Sequence, residues 1–74
     1  MEEKDEQLIQ SLLDREPDLR RYYEEHVDLE RQLGALQQRP YLSPEEELHK
    51  KRLQKLKLAG KDRMMEILAR HRVH

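Results

Sequence analysis

Residues 19–36 read LRRYYEEHVDLERQLGAL, and the spacing of their bulky side chains decides the fold. Six of these residues, alternately three and four positions apart, form a set that we call the seam: Leu19, Tyr22, His26, Leu29, Leu33 and Leu36. On an α-helix this spacing places the whole set on one narrow stripe, which is typical of a helix that packs along another helix. The seam therefore predicts an all-α fold of the coiled-coil type.

Pro17 separates the first two predicted helices. Proline lacks an amide N–H and disfavours helix at the preceding residue, so it ends a first helix over about 5–14 and opens a second over about 17–38. Glu16 is a weaker N-cap than Ser, Thr, Asp or Asn. A kink between these two helices is therefore the alternative to a clean break.

A third helix is predicted over about 44–72. Ser43 and Glu46 match the Ser-x-x-Glu capping box, and Pro44 suits the first helical position. Because the connection after the second helix is short, the second and third helices are expected to form an antiparallel hairpin. The third helix should meet the seam through a second apolar set: Leu53, Leu56, Met64, Ile67 and Leu68.

A pivot near Tyr41 gives a first register for this hairpin. It places His26 opposite Leu56. It also places Tyr22 opposite Gly60, where a missing side chain leaves room for the ring; a break of the helix at Gly60 is the alternative.

The size of the chain favours self-association. Its 74 residues form one domain, 1–74, with 42% charged residues, no Phe and no Trp. A core this small supplies only roughly a few kcal/mol of folding stability, and oligomerisation is one common additional source. The end of the third helix also needs an apolar partner, and the first helix can supply one from its own chain or from a second subunit.

Several classes of protein are disfavoured by the composition. Without cysteine the chain has no disulfide and no thiolate metal site, which suits a reducing cytoplasm. No apolar run approaches the ~20 residues of a membrane span, and the acidic N-terminus is unlike a signal peptide. A chain this small hardly encloses a catalytic cavity, so we expect no enzyme and no cofactor.

Two blocks of the sequence resemble the YdcH-like family of small bacterial proteins of unknown function. They are His26-x-x-Leu29-Glu30-x-x-Leu33 and Leu53-x-Lys55-x-Lys57-Leu58-x-x-Lys61-Asp62. Upstream, Leu8-Ile9, Leu12 and Glu16-Pro17 also have the spacing of the family, so the resemblance spans nearly the whole chain. Gly60 and Arg63 depart from the family's pattern, which has an apolar residue and an acid there. The resemblance implies a self-associating helical hairpin, and it implies no catalytic residues.

The histidines invite two further hypotheses. His26 lies within the apolar seam, where protonation would make assembly depend on pH. The plainer interpretation is a packed residue with one ring nitrogen satisfied by a neighbour such as Glu30 or by the backbone of a basic residue. The four histidines His26, His49, His71 and His74 also raise the question of metal binding. The His71-x-x-His74 pair lacks convergent ligands, so no metal site is predicted.

The basic third helix supports an alternative function. From His49 onward the chain has nine Lys and Arg against two acids, a net charge of +7. The candidate residues for binding RNA or DNA are Lys50, Lys51, Arg52, Lys55, Lys57 and Lys61. Because the whole chain is nearly neutral and lacks interleaved aromatic residues, we favour a homo-oligomeric interaction or scaffold protein over a nucleic-acid binder.

Overall fold

A computed structural model of the chain describes residues 2–72, which form three α-helices and no strand. They are α1 (Glu3–Leu12), α2 (Pro17–Gln37) and α3 (Pro44–His71). Helices α2 and α3 pack along each other as a hairpin, and α1 packs against the end of α3. The all-α class and the pairing of α2 with α3 agree with the prediction.

The start of α3 has the predicted capping box. The Ser43 hydroxyl accepts from the Glu46 amide at 3.1 Å, and the Ser43 amide donates to Glu46 Oε1 at 3.0 Å. Arg39, in the connection before α3, forms an ion pair with Glu46. Glu46 therefore takes part in the capping box and also holds the connection that precedes α3.

The helical conformation is interrupted between α1 and α2, so the boundary is a break and not a kink. Helix α1 ends at Leu12, and the amides of Arg15 and Glu16 both donate to the Leu12 carbonyl at 2.9 Å. Glu16 has extended backbone angles and makes no capping hydrogen bond to α2. Its carboxylate lies instead 2.8 Å from His71 Nε2, so Glu16 connects the start of α2 to the end of α3.

The main core lies at the open end of the hairpin, where all three helices meet. Its six members are each at most 5% exposed: Ile9, Leu12, Leu19, Met64, Ile67 and Leu68. Helix α1 contributes Ile9 and Leu12 from the same chain, which is one of the two arrangements that the sequence left open. This end of the hairpin is therefore covered without a second subunit.

The remaining seam residues differ in burial. His26 and Leu33 are buried, whereas Tyr22, Leu29 and Leu36 are half-buried. In the second apolar set, on α3, Leu53 is buried as expected. The second helix of the hairpin departs from expectation at Leu56, which is 58% exposed.

Leu56 is exposed because it lies to one side of the α3 face that meets α2, about 60° around the helix from the buried Leu53. The two helices are also offset along their axes from the expected register. A pivot at Tyr41 places Glu30 opposite Arg52, yet Glu30 Oε1 lies 3.4 Å from Lys57 Nζ. The difference is a little more than one helical turn. Because of its position around α3, Leu56 lines the same groove as Leu29 and not the groove of His26.

Gly60 does not have the role expected from the sequence. Helix α3 is continuous through it, and its φ is not positive, so there is no break. A Cβ at Gly60 meets nothing within 4 Å, so Tyr22 does not need the space. The expectation that Gly60 makes room for a tyrosine ring is wrong.

Replacing Gly60 with alanine should therefore stabilise the fold. Gly60→Ala is expected to raise the free energy of unfolding by about 1 kcal/mol, because alanine is the better helix former and no neighbour is displaced. Gly34→Ala in α2 is the matched comparison, since a Cβ there also meets nothing within 4 Å. Urea unfolding followed by circular dichroism measures both, and a lower stability of Gly60→Ala contradicts this account.

Candidate interaction surface

Two grooves run between α2 and α3, one on each side of their line of contact. Successive helical residues are about 100° apart, so the neighbours Leu56 and Lys57 fall on different sides of α3. The apolar groove is lined by Tyr22, Glu25, Asp28, Leu29, Leu56, Ala59, Gly60 and Arg63. The polar groove is lined by His26, Glu30, Leu33, Gln37, Gln54, Lys57, Leu58 and Lys61.

The apolar groove is lined by large side chains and by the small residues Ala59 and Gly60. Tyr22 and Leu29, seven residues apart, line its α2 side, and Leu56 lines its α3 side. The ring of Tyr22 is held partly by Arg21, whose Cζ is 5.4 Å from the ring centroid. Such a surface can receive the apolar face of another helix.

The polar groove contains a linked set of charged and polar groups. His26 is 7% exposed, and its Nε2 lies 3.1 Å from Glu30 Oε1. Lys57 Nζ lies 3.4 Å from the same oxygen. His26 is thus a packed residue with the Glu30 carboxylate beside one ring nitrogen, in the manner of the plainer interpretation. His26 Nδ1 is buried without a hydrogen-bond partner among residues 2–72.

The six cations proposed for nucleic-acid binding do not share one face of α3. Three of them, Lys50, Lys57 and Lys61, are half-buried. The other three are exposed: Lys51, Arg52 and Lys55. Because Lys57 is already paired with Glu30, the hairpin leaves a smaller basic surface than the sequence suggested.

The histidines are separated along the molecule. His26 faces Glu30, His71 faces Glu16, and His49 is exposed. Within residues 2–72, no three His, Cys, Asp or Glu side chains come close enough to hold a metal ion. His74, the other half of the proposed pair at the end of the chain, lies outside the described residues. No helix in the described range combines the length and apolar character needed to cross a membrane.

A family model places this hairpin among known sequences. The model described as a protein of unknown function, DUF465, matches residues 19–68. The chain belongs to the DUF465 family. This confirms the resemblance to the YdcH-like family, which is the same family. No curated protein and no solved structure matches the chain.

The DUF465 match covers both grooves but not α1. It begins at Leu19 in α2 and ends at Leu68 in α3, so it includes every residue that lines the two grooves. Helix α1, which closes the core, lies before it. The family assignment therefore applies to the hairpin and gives no activity.

Sequence reasoning missed the role of Tyr23 in this DUF465 chain. Its hydroxyl donates to Glu6 Oε1 at 2.5 Å and accepts from Gln10 Nε2 at 3.0 Å, which ties α2 to α1. The Glu6 carboxylate that accepts this hydrogen bond, together with burial, raises the pKa of Tyr23 above its ordinary value of 10.0. One signal was present: Tyr23 lies four residues after Leu19, on the same side of α2.

Tyr23→Phe should loosen α1. Loss of the hydrogen bond is expected to lower the free energy of unfolding at neutral pH by about 1 kcal/mol. Since the pKa of Tyr23 is raised in the folded state, its contribution is complete below pH 10.0 and is lost as the pH rises through the folded-state pKa. Tyr41→Phe is the control, because Tyr41 is 87% exposed.

Denaturant unfolding and the phenolate absorbance of the three tyrosines measure these effects. In Tyr23→Phe the tyrosine transition at the highest pH should disappear. Equal stabilities of the two variants, with that transition retained, would contradict the assignment.

Proposed function

We propose that this chain is a small cytoplasmic interaction protein that assembles with copies of itself and serves as a scaffold without catalysis. One observation carries the proposal: apolar side chains stay exposed after α1 has closed the core. They are Val27, Tyr41, Leu48, Leu56 and Leu58, each 47–87% exposed. Single exposed leucines are ordinary, but Leu56 continues a groove that is already apolar.

The small core supports the same proposal. The described residues bury eight hydrophobic side chains almost completely, and the chain has no cysteine for a disulfide. Domains of this size usually need a further source of stability, and association through an apolar face is one of them. A second copy covering Leu56 supplies it without any new chemistry.

The apolar groove gives little support to catalysis. Its ionisable residues, Glu25, Asp28 and Arg63, lie at its edges, and Asp28 is already paired with Arg31. Acid–base or nucleophilic catalysis needs such groups to converge in a site that excludes water. An interaction role uses the groove as it stands.

Light scattering of the untagged protein tests the proposed self-association. Across a roughly hundredfold concentration range at neutral pH, we expect the mass to rise from that of one chain to at least twice that value, by mass action. A mass of one chain at every concentration would refute self-association.

Polyanion binding is the second candidate, favoured by the exposure of Lys51, Arg52 and Lys55. Binding that neutralises phosphates weakens steeply as salt rises. We expect a generic oligonucleotide to show no salt-dependent binding to the wild-type protein. The test variant changes Lys51, Arg52 and Lys55 to Glu together, and the control is Lys4→Glu in α1. Steep salt dependence that is lost only in the triple variant would favour the nucleic-acid role.

A further inference from the structure

The two edges of the apolar groove carry opposite charges. On α2, Asp18 and Glu25 are exposed and lie four residues before Tyr22 and Leu29, so they share the groove side of that helix. On α3, Arg63 lies seven residues after Leu56, and Arg70 lies seven further. Both arginines are exposed. The α2 edge is therefore acidic apart from Arg21, which lies over the Tyr22 ring, and the α3 edge is basic.

The charges on the two edges have the same spacing. Asp18 and Glu25 are seven residues apart, as are Arg63 and Arg70. Because α2 and α3 are antiparallel, Glu25 is nearest in level to Arg63, and Asp18 to Arg70. In helical bundles, charges that flank an apolar strip at a seven-residue repeat set the choice and orientation of the partner.

Contacts within the chain leave these charges available. Asp18 lies 3.7 Å from Arg21, and Arg63 lies 3.5 Å from Glu66. Both are pairs of neighbouring residues on one helix, with side chains that are 61–75% exposed. Exposed pairs of this kind hold their partners weakly.

We infer that the apolar groove is occupied by a second copy of this chain, which makes a two-fold symmetric four-helix bundle. The inference rests on the proposed self-association and specifies its surface. In this dimer the partner's α3 lies over α2, and the partner's α2 lies over α3. Leu56 is covered by the partner's Leu29, and Glu25 faces the partner's Arg63.

The charges at the groove edges favour this arrangement over a dimer whose two-fold axis runs across the hairpin. A two-fold axis along the hairpin brings each acidic edge against a basic edge, twice over, because the contact is isologous. An axis across the hairpin brings acid against acid and arginine against arginine. The polar groove then faces solvent, where Glu30 already neutralises Lys57.

Charge reversal at two positions tests the arrangement. Glu25→Arg and Arg63→Glu each place like charges on both sides of the dimer, so each should raise the dimer dissociation constant at least tenfold at low salt. Mixing the two variants should restore the wild-type value, because every position 25 then faces an opposite charge at position 63. Glu24→Arg is the control, since Glu24 pairs with Arg20 and does not line the groove.

Mixing distinguishes a contact between chains from one within a chain. A pair acting within one chain is restored by combining both substitutions in that chain but not by mixing the single variants. Two results would show that the dimer uses a different surface although self-association stands. In the first, the wild type dimerises but mixing the variants does not restore dimerisation; in the second, the single variants dimerise as tightly as the wild type. Wild type that stays monomeric overturns both.

Two leucines provide a second test that does not depend on charge. Leu56→Ser in the apolar groove should weaken the dimer at least tenfold. Leu58→Ser, on the polar groove and 62% exposed, should leave it unchanged. Since both side chains are largely exposed, circular dichroism should show that both variants fold. Equal effects on dimerisation would overturn the assignment of the groove.

Discussion

The rest of this structure depends on the packing of α1 against the end of the hairpin. Helix α3 has 28 residues and α2 has 21, so the last turns of α3 have apolar side chains that α2 alone does not cover. Ile9 and Leu12 of α1 cover them, with Met64 and Leu68 becoming fully buried. Burying a side chain of this size contributes roughly 1.5–3 kcal/mol, a large share of the stability of a small domain.

The turn before Pro17 makes that packing possible within one chain. Glu16 faces His71, Glu6 accepts from Tyr23, and Asp5 forms an ion pair with Arg72. Each contact is modest because it lies near the surface, but together they fix the direction of α1. Closing this end of the hairpin leaves the apolar groove in its middle as the surface where association is expected.

The sequence predicted the helices and their faces better than their relative positions. The capping box at Ser43 and the proline at position 17 mark helix ends through local backbone chemistry, and the three- and four-residue spacing marks a buried stripe. The axial offset of two antiparallel helices is set by side chains reaching across the interface, as Lys57 does to Glu30. A pivot in the loop does not contain that information, and it does not say which side of α3 turns toward α2, so the exposure of Leu56 was missed.

Two other features could not be predicted from the spacing of residues in the sequence. The apolar residues of α1 are the same whether they pack within the chain or in a second subunit, so the pattern does not decide between these. Gly60 lies in a regular helix with open space beside its Cα, so its neighbours do not explain it. The charges at the groove edges were visible in the sequence, but their opposition depends on knowing which sides of α2 and α3 meet.

The central claim is that one chain closes its own core and a second copy covers the apolar groove. Isotope-filtered NMR on an equal mixture of labelled and unlabelled chains tests it directly, because the experiment separates contacts between chains from contacts within them. The account predicts that methyl contacts between Ile9 and Leu68 arise within a chain, and that those between Leu56 and Leu29 also arise between chains. Contacts between Ile9 of one chain and Leu68 of another, with none between chains at Leu56, would contradict it.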